Sequence, residues 1–165
     1  MQDSTVRLGF IGCGNIAAAH LAAIEQIPAI EVVAAADIDE ARASDFAERS
    51  GAQAYFTDWR EMLENVELDA IDQCTPHTLH VAPTIAAAEK GIHVFTEKPM
   101  ATELEHCDRM IEACEDAGVT LMVGHLLEYH PAVQYIKEQI QNGEVGRPLY
   151  LYFQRVNLGI VRKKE

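Results

Sequence analysis

Thr5-Val6-Arg7-Leu8-Gly9-Phe10-Ile11-Gly12-Cys13-Gly14-Asn15-Ile16-Ala17 decides the fold. A β-rich apolar run over 5–11 passes into G-x-G-x-x-A and then into an alanine-rich helical pattern over 16–27, stopped by Pro28. The glycine pattern alone is weak evidence. Here it follows a strand, opens a helix, and has Asp37 twenty positions after Ala17, at the end of the next β-rich run, 30–36. Gly12 permits the tight turn, Gly14 lets the backbone approach a diphosphate, and Ala17 lets helix and strand pack closely. The helix N-terminus offers free N–H groups and partial positive charge to that diphosphate. Asp37 is placed to accept hydrogen bonds from both hydroxyls of an adenosine ribose. A 2′-phosphate would meet like charge there, with Arg42 the nearest cation, so NAD is expected over NADP. The plainer alternative is a Gly-rich turn with an ordinary strand-end Asp.

Outward from this stretch, β-rich runs alternate with helical patterns. A helix over 39–50 closes at Gly51, and a brief strand over 53–56 precedes a short helix capped by Thr57 or Asp58. A strand over 70–74 leads to a helix over 78–90 ended by Gly91, then a strand over 92–96. A helix over 102–117 follows, with Thr102 and Glu105 spaced as a capping box, then a last strand over 119–123. Strands and helices alternating at this spacing give right-handed crossovers and a parallel sheet covered on both faces. The fold class is α/β, a Rossmann doubly wound parallel sheet. From about Leu126 the character changes: His130-Pro131 opens a helix to Gln141, and 149–156 alternates like a strand with one solvated face. The expected division is a dinucleotide-binding domain over 1–124 and the opening of a second, α+β domain over 125–165.

The 165 residues are 48% hydrophobic and 24% charged, which excludes a disordered or fibrous chain. Such a chain hides roughly 70% of its unfolded surface on folding and needs no staples. Thirteen Lys and Arg stand against 26 Asp and Glu, a net charge of −13, so nucleic acid and anionic membrane surfaces are poor partners. No run of about 18 apolar residues or basic-then-apolar leader is present in the sequence. Cys13, Cys74, Cys107 and Cys114 form no CxxC pair; the last two share a helical face and read as packing groups. A reducing cytoplasm is the expected compartment.

Thr96-Glu97-Lys98-Pro99-Met100 follows a strand on the carboxyl edge of the sheet, where ligands of open α/β folds bind. Pro99 fixes the turn and keeps Lys98 out of helical geometry. A lysine held there can donate to a substrate oxygen, with Glu97 orienting it, although a surface lysine in a loop fits the spacing equally well. Cys74-Thr75-Pro76-His77 ends the preceding strand at the same edge. His77 and His80 lack a carboxylate or thiol cluster, so capping or packing is favoured over a metal, and no metal site is expected. His125 and His130 read as structural.

GFIGCGNIA, the Asp37 strand end, CTPHTLH, TEKPM, and VGHLLEYHPAV followed by GEVGRP together resemble the Gfo/Idh/MocA oxidoreductase family, in order and over nearly the whole chain. The EKP element is the specific part. The resemblance implies an N-terminal NAD(P)-binding Rossmann domain, a C-terminal domain with a large open sheet, and hydride transfer at a sugar, cyclitol or nucleotide-sugar carbon. It implies Gly12, Gly14, Asn15 and Ile16 along the diphosphate, with Asp37 at the adenosine ribose. Thr75, Pro76 and His77 (commonly Asn in the family) would lie beside the nicotinamide ribose, Glu97 would touch that ribose, and Lys98 would be the catalytic lysine. GHLLEYHPAV with QRVNLG is most similar to branches acting on nucleotide-linked sugars. Family members are roughly twice this length and carry a second catalytic His, usually with an Asp, beyond the point matching residue 165. The 165 residues alone are therefore expected to bind cofactor without turning over a sugar, and to self-associate through the alternating segment. An NAD-using glycosidase of the same superfamily and a non-catalytic nucleotide-binding module are the alternatives.

Overall fold

The computed structural model describes residues 5–154 and 156. The chain falls into two compact units, Met1–His125 and Leu126–Glu165. The first carries strands β1 (Val6–Ile11), β2 (Ile30–Ala36), β3 (Ala54–Phe56), β4 (Ala70–Gln73), β5 (His93–Thr96) and β6 (Leu121–Val123). It also carries helices α1 (Asn15–Ile24), α2 (Glu40–Ser50), α3 (Trp59–Asn65), α4 (Val81–Glu89) and α5 (Leu104–Ala117). All five pairings are parallel, in the order β3-β2-β1-β4-β5-β6. The expected doubly wound α/β sheet is present, and its direction reverses between β1 and β4, the crevice where such sheets bind ligands.

The apolar strands are continuous because both faces are covered. On one side Leu8, Phe10 and Ala35 pack with Ala17 and Leu21 of α1 and Phe46 of α2, where Phe10 and Phe46 lie 4.7 Å apart between ring centroids. On the other, Ile11, Ala34, Ala36, Ile71 and Val94 pack with Met62 and Leu63 of α3 and Ala87 of α4. Ala17 is fully buried, so the close helix–strand approach assigned to it is real. Asp58 accepts from the Arg60 N–H and settles the choice of cap for α3. Gly51 and Gly118 close α2 and α5 in the left-handed region, at φ 75° and 67°.

Four local expectations are corrected. α1 ends at Ile24, because the Gln26 and Ile27 N–H groups turn back to Ala23 and Ile24 carbonyls. A short 3-10 turn, His77–Leu79, precedes α4, which starts at Val81 rather than 78. The Thr102–Glu105 capping box does not form: α5 begins at Leu104 after Glu103, with no side-chain cap. The Met100 carbonyl faces the buried His80 ring 3.1 Å away, and bends at 102–103 delay the helix by two residues. The strand expected over 149–156 is not a strand at 149–154 or 156, and Arg155 lies outside the described residues. No partner strand among the described residues takes its ladder bonds; Leu149, Leu151 and Phe153 are exposed like Tyr150 and Tyr152. Within the second unit, α6 (Pro131–Gln141) starts where expected, with His130 Nδ1 accepting from the Ala132 N–H.

Candidate functional site

The turn between β1 and α1 is built against the end of β4. Gly12 has φ +90°, and a Cβ there would lie 2.9 Å from both the Cys74 carbonyl carbon and the Thr75 nitrogen. Only glycine meets both demands. Gly14 is the opposite case, since a Cβ built on it meets nothing within 4 Å. Gly14 caps α1 without a side-chain bond, so the first-turn N–H groups of Asn15, Ile16 and Ala17 have no side-chain partner. Ile16 is 47% exposed beside them. Open space over a glycine, uncapped N–H groups and a helix N-terminus fit a diphosphate.

Asp37 follows β2 and is half-buried. Its Oδ2 accepts from the Cys13 N–H at 2.8 Å and its Oδ1 from the Asp39 N–H at 2.9 Å. The carboxylate therefore pins the glycine turn to β2 while each oxygen keeps a lone pair for a ribose hydroxyl. Arg42, the nearest cation in sequence, bonds Asp39 instead at 3.4 Å. Burial, then the Asp37 charge, pushes the Cys13 thiol up to about 12, so it stays protonated at neutral pH.

On the other side of the switch point, the loop after β4 hangs on buried Gln73. Its Nε2 donates to the Leu79 and His80 carbonyls at 3.2 and 3.1 Å, and its Oε1 accepts from Thr84 Oγ1 at 3.0 Å. His80 is fully buried, with its ring nitrogens facing the Thr75 and Met100 carbonyls, so packing is its observed role. This frame leaves Thr75 half-buried and Pro76 and His77 exposed at the sheet edge.

Glu97 and Lys98 follow β5. Glu97 is 8% exposed; its Oε2 accepts from the Lys98 backbone N–H at 3.1 Å. A Cβ on Gly124, the residue after β6, would sit 2.9 Å from Glu97 Oε1, so glycine there leaves this carboxylate its present position. The Lys98 side chain is exposed. The Lys98–Pro99 peptide bond is cis.

Sequence reasoning missed the group beneath these loops. His20 of α1 places Nδ1 2.9 Å from Asp72 Oδ2 and Nε2 3.3 Å from Glu97 Oε1. Cys74 Sγ lies 3.3 Å from Asp72 Oδ1 and 3.4 Å from His20 Nδ1. The Asp72 hydrogen bond raises the His20 pKa above its ordinary value. Burial, then the Asp72 charge, pushes the Cys74 thiol well above its ordinary range. A signal existed: a histidine inside AAAHLAAI and an aspartate inside the otherwise uncharged strand AIDQ are both polar where the pattern demands burial.

The Gfo/Idh/MocA profile, described as an oxidoreductase family with an NAD-binding Rossmann fold, matches residues 6–125. The chain belongs to this family. It is 32% identical over 143 residues to a myo-inositol 2-dehydrogenase of Thermotoga maritima, covering 87% of this chain and 43% of the relative. It is 41% identical over 88 residues to a 2,7-anhydro-N-acetylneuraminate hydratase of Escherichia coli, covering 53% of this chain and 24% of that protein. The solved WlbA dehydrogenase from Bordetella pertussis, in complex with NADH and UDP-GlcNAcA, superposes with a TM-score of 0.84 at 35% identity, over 89% of this chain and 42% of that one. The chain spans less than half the length of these relatives.

Proposed function

We propose that this member of the Gfo/Idh/MocA family forms the cofactor half of an NAD-dependent dehydrogenase acting on a carbinol carbon of a sugar, cyclitol or nucleotide sugar. The carrying observation is Lys98, exposed at the carboxyl edge of β5 with its backbone N–H fixed by buried Glu97. Gly12 and Gly14 form the turn, and the Asn15 and Ile16 N–H groups hold the diphosphate. Asp37 takes the ribose diol and disfavours NADP. Thr75, Pro76 and His77 form the wall beside the nicotinamide ribose, and Glu97 completes it. When bound, the dinucleotide supplies the hydride acceptor. Lys98 donates to the substrate oxygen and polarises it, while the proton leaves to a base outside the 165 residues.

The domain division over 1–124 and 125–165, a cytoplasmic setting and self-association through the 149–156 segment belong to the same proposal. Four free cysteines suit a reducing compartment. No helix among the described residues is long and apolar enough to cross a membrane. Exposed Leu149, Leu151 and Phe153 suit an interface. A redox-neutral second reading gains weight from the hydratase relative, since hydration changes no net oxidation state. The test is NADH formation over a panel of sugars, cyclitols and nucleotide sugars by the protein extended through the rest of its second domain. Lys98→Ala should lower turnover by about 10²–10⁴-fold with cofactor affinity little changed. Turnover without NADH accumulation would favour the redox-neutral reading, and unaltered turnover would remove Lys98 from the chemistry.

A further inference from the structure

The His20 ring lies between two carboxylates on different strands. Asp72, 4% exposed at the end of β4, faces Nδ1 with both oxygens, at 2.9 and 3.1 Å. Glu97, 8% exposed just after β5, faces Nε2 at 3.3 Å. The Nδ1 contact is a hydrogen bond and the Nε2 contact an ion-pair approach; a carboxylate accepts and repels a lone pair, so a ring with N–H groups on both nitrogens, the imidazolium, suits both neighbours. A neutral ring would turn a lone pair toward one buried carboxylate. Phe95 closes one side edge-on, 5.4 Å between centroids, and the Cys74 thiol approaches Nδ1 at 3.4 Å. These two carboxylates and the thiol are the titratable groups facing the ring from the elements packed against it.

The connection does not stop at Glu97. Its Oε1 is the oxygen His20 holds, and its Oε2 accepts from the Lys98 N–H at 3.1 Å. One ring therefore joins α1, whose first turn forms the diphosphate site, to the backbone of Lys98. We propose that His20 is a positioning residue whose doubly protonated ring bridges Asp72 and Glu97 and thereby sets the placement of Lys98 relative to the glycine turn. This rests on the proposed dehydrogenase reading for what Lys98 does, but not for the bridge itself.

His20, Asp72 and Cys74 also bring one donor atom each within 4.8 Å of one another, close enough for a divalent ion. Both ring nitrogens are already engaged by carboxylates, however, and Cys74 lies in surroundings that favour its protonated form. An ion would have to displace a proton from each.

The test is nitrogen-15 NMR on the full 165-residue chain, following the His20 ring and the Lys98 amide across pH 5.5–9, about one unit below to 2.5 above the ordinary histidine value. Expected are two protonated ring nitrogens at neutral pH, a midpoint above that value, and a Lys98 amide shift that titrates with the same midpoint. Asp72→Asn should lower both midpoints together by about 1–3 pH units. His20→Gln should abolish the amide titration and weaken NADH by about tenfold at pH 6.5, the loss of one charge-assisted bond. If His20→Gln fails to fold, Asp72→Asn, which keeps the Glu97 contact, carries the test alone. A singly protonated ring at neutral pH, a Lys98 amide that ignores the ring, or uptake of one equivalent of zinc with loss of the ring N–H signals would overturn the assignment. A chain that shows the shared titration but binds no NADH would sink the dehydrogenase reading and leave the bridge standing.

Discussion

Gly12 and Gly14 stand two residues apart in one motif, yet alanine at each should do opposite things. At Gly12 the added Cβ meets backbone at 2.9 Å on two atoms, and φ is +90°. The left-handed conformation costs an L-residue about 1–2 kcal/mol. Relieving a contact with backbone, which cannot rotate away, costs about 1–3 kcal/mol more. The sum, about 2–5 kcal/mol, is a large part of an ordinary domain's stability of about 5–15 kcal/mol. Each kcal/mol lowers Tm by about 2–4 °C at this chain length, so Gly12→Ala should unfold about 4–20 °C early. Gly14 has φ −85° and ψ −164°, open to any residue, and its Cβ enters empty space. Gly14→Ala should leave Tm within about 2 °C, because reduced freedom in the unfolded chain offsets a poorer helix cap. That space is where a diphosphate would approach the backbone, so NADH affinity should fall by about tenfold or more, a loss of about 1.4 kcal/mol. Scanning calorimetry and isothermal titration on both variants separate the effects. A Gly12→Ala protein with unaltered Tm would refute the steric argument. A Gly14→Ala protein with full NADH affinity would remove the diphosphate from this turn.

Asp37→Ala should weaken NAD by about 1.5–3 kcal/mol and narrow the preference over NADP, measured by titration with both cofactors; some Tm loss should accompany it, since Asp37 also holds the Cys13 N–H. Thr96→Val should stabilise the chain by about 1 kcal/mol in urea unfolding, because Thr96 Oγ1 is buried without a hydrogen-bond partner and valine keeps the shape. Stability should also follow the His20 proton. The folded pKa is raised chiefly by the Asp72 bond, so this contribution is fully present below the unfolded value of about 6.5 and is lost as pH rises through the folded one. Urea midpoints from pH 6 to 9 should fall across that window, and a His20→Gln profile falling equally would contradict it.

The order of elements was legible because each signal was local. Gly51 and Gly118 each close a helix, and a β-branched or apolar run followed by a helical pattern needs only its own neighbours to be read. Asp37 was legible for the same reason, being fixed by its distance from the glycine turn. The failures are non-local. Thr102 and Glu105 satisfy a capping pattern on paper, but the chain at Met100 is held by His80, twenty residues earlier. The segment at 149–156 alternates correctly, yet a strand exists only where another strand accepts its hydrogen bonds. His20, Asp72 and Glu97 are separated by 52 and 25 positions, and no spacing rule connects them. Only the parallel register, which sets Asp72 opposite Phe95 and Gln73 opposite Thr96, brings β4 and the Glu97 loop to one level beneath α1.

That register also explains why a charged cluster is tolerated so near the core. The carboxyl edge of a parallel sheet is where strand carbonyls and loop N–H groups run out of ladder partners, so side chains must complete the hydrogen bonding. Three strand ends meet at this carboxyl edge, and each supplies one closure: Asp37 to Cys13, Gln73 to the His80 loop, and Glu97 to Lys98. Two of the three closing groups are carboxylates, and Asp72 adds a third acidic charge at the same edge. A lone buried carboxylate is costly. Asp37 remains half-exposed, while Asp72 and Glu97 are buried and share the single His20 ring. The anionic loops that would hold a ribose and orient a lysine thus depend on one histidine in the helix that would hold the diphosphate. Removing that ring should loosen both sides of the crevice while the sheet beneath stays paired.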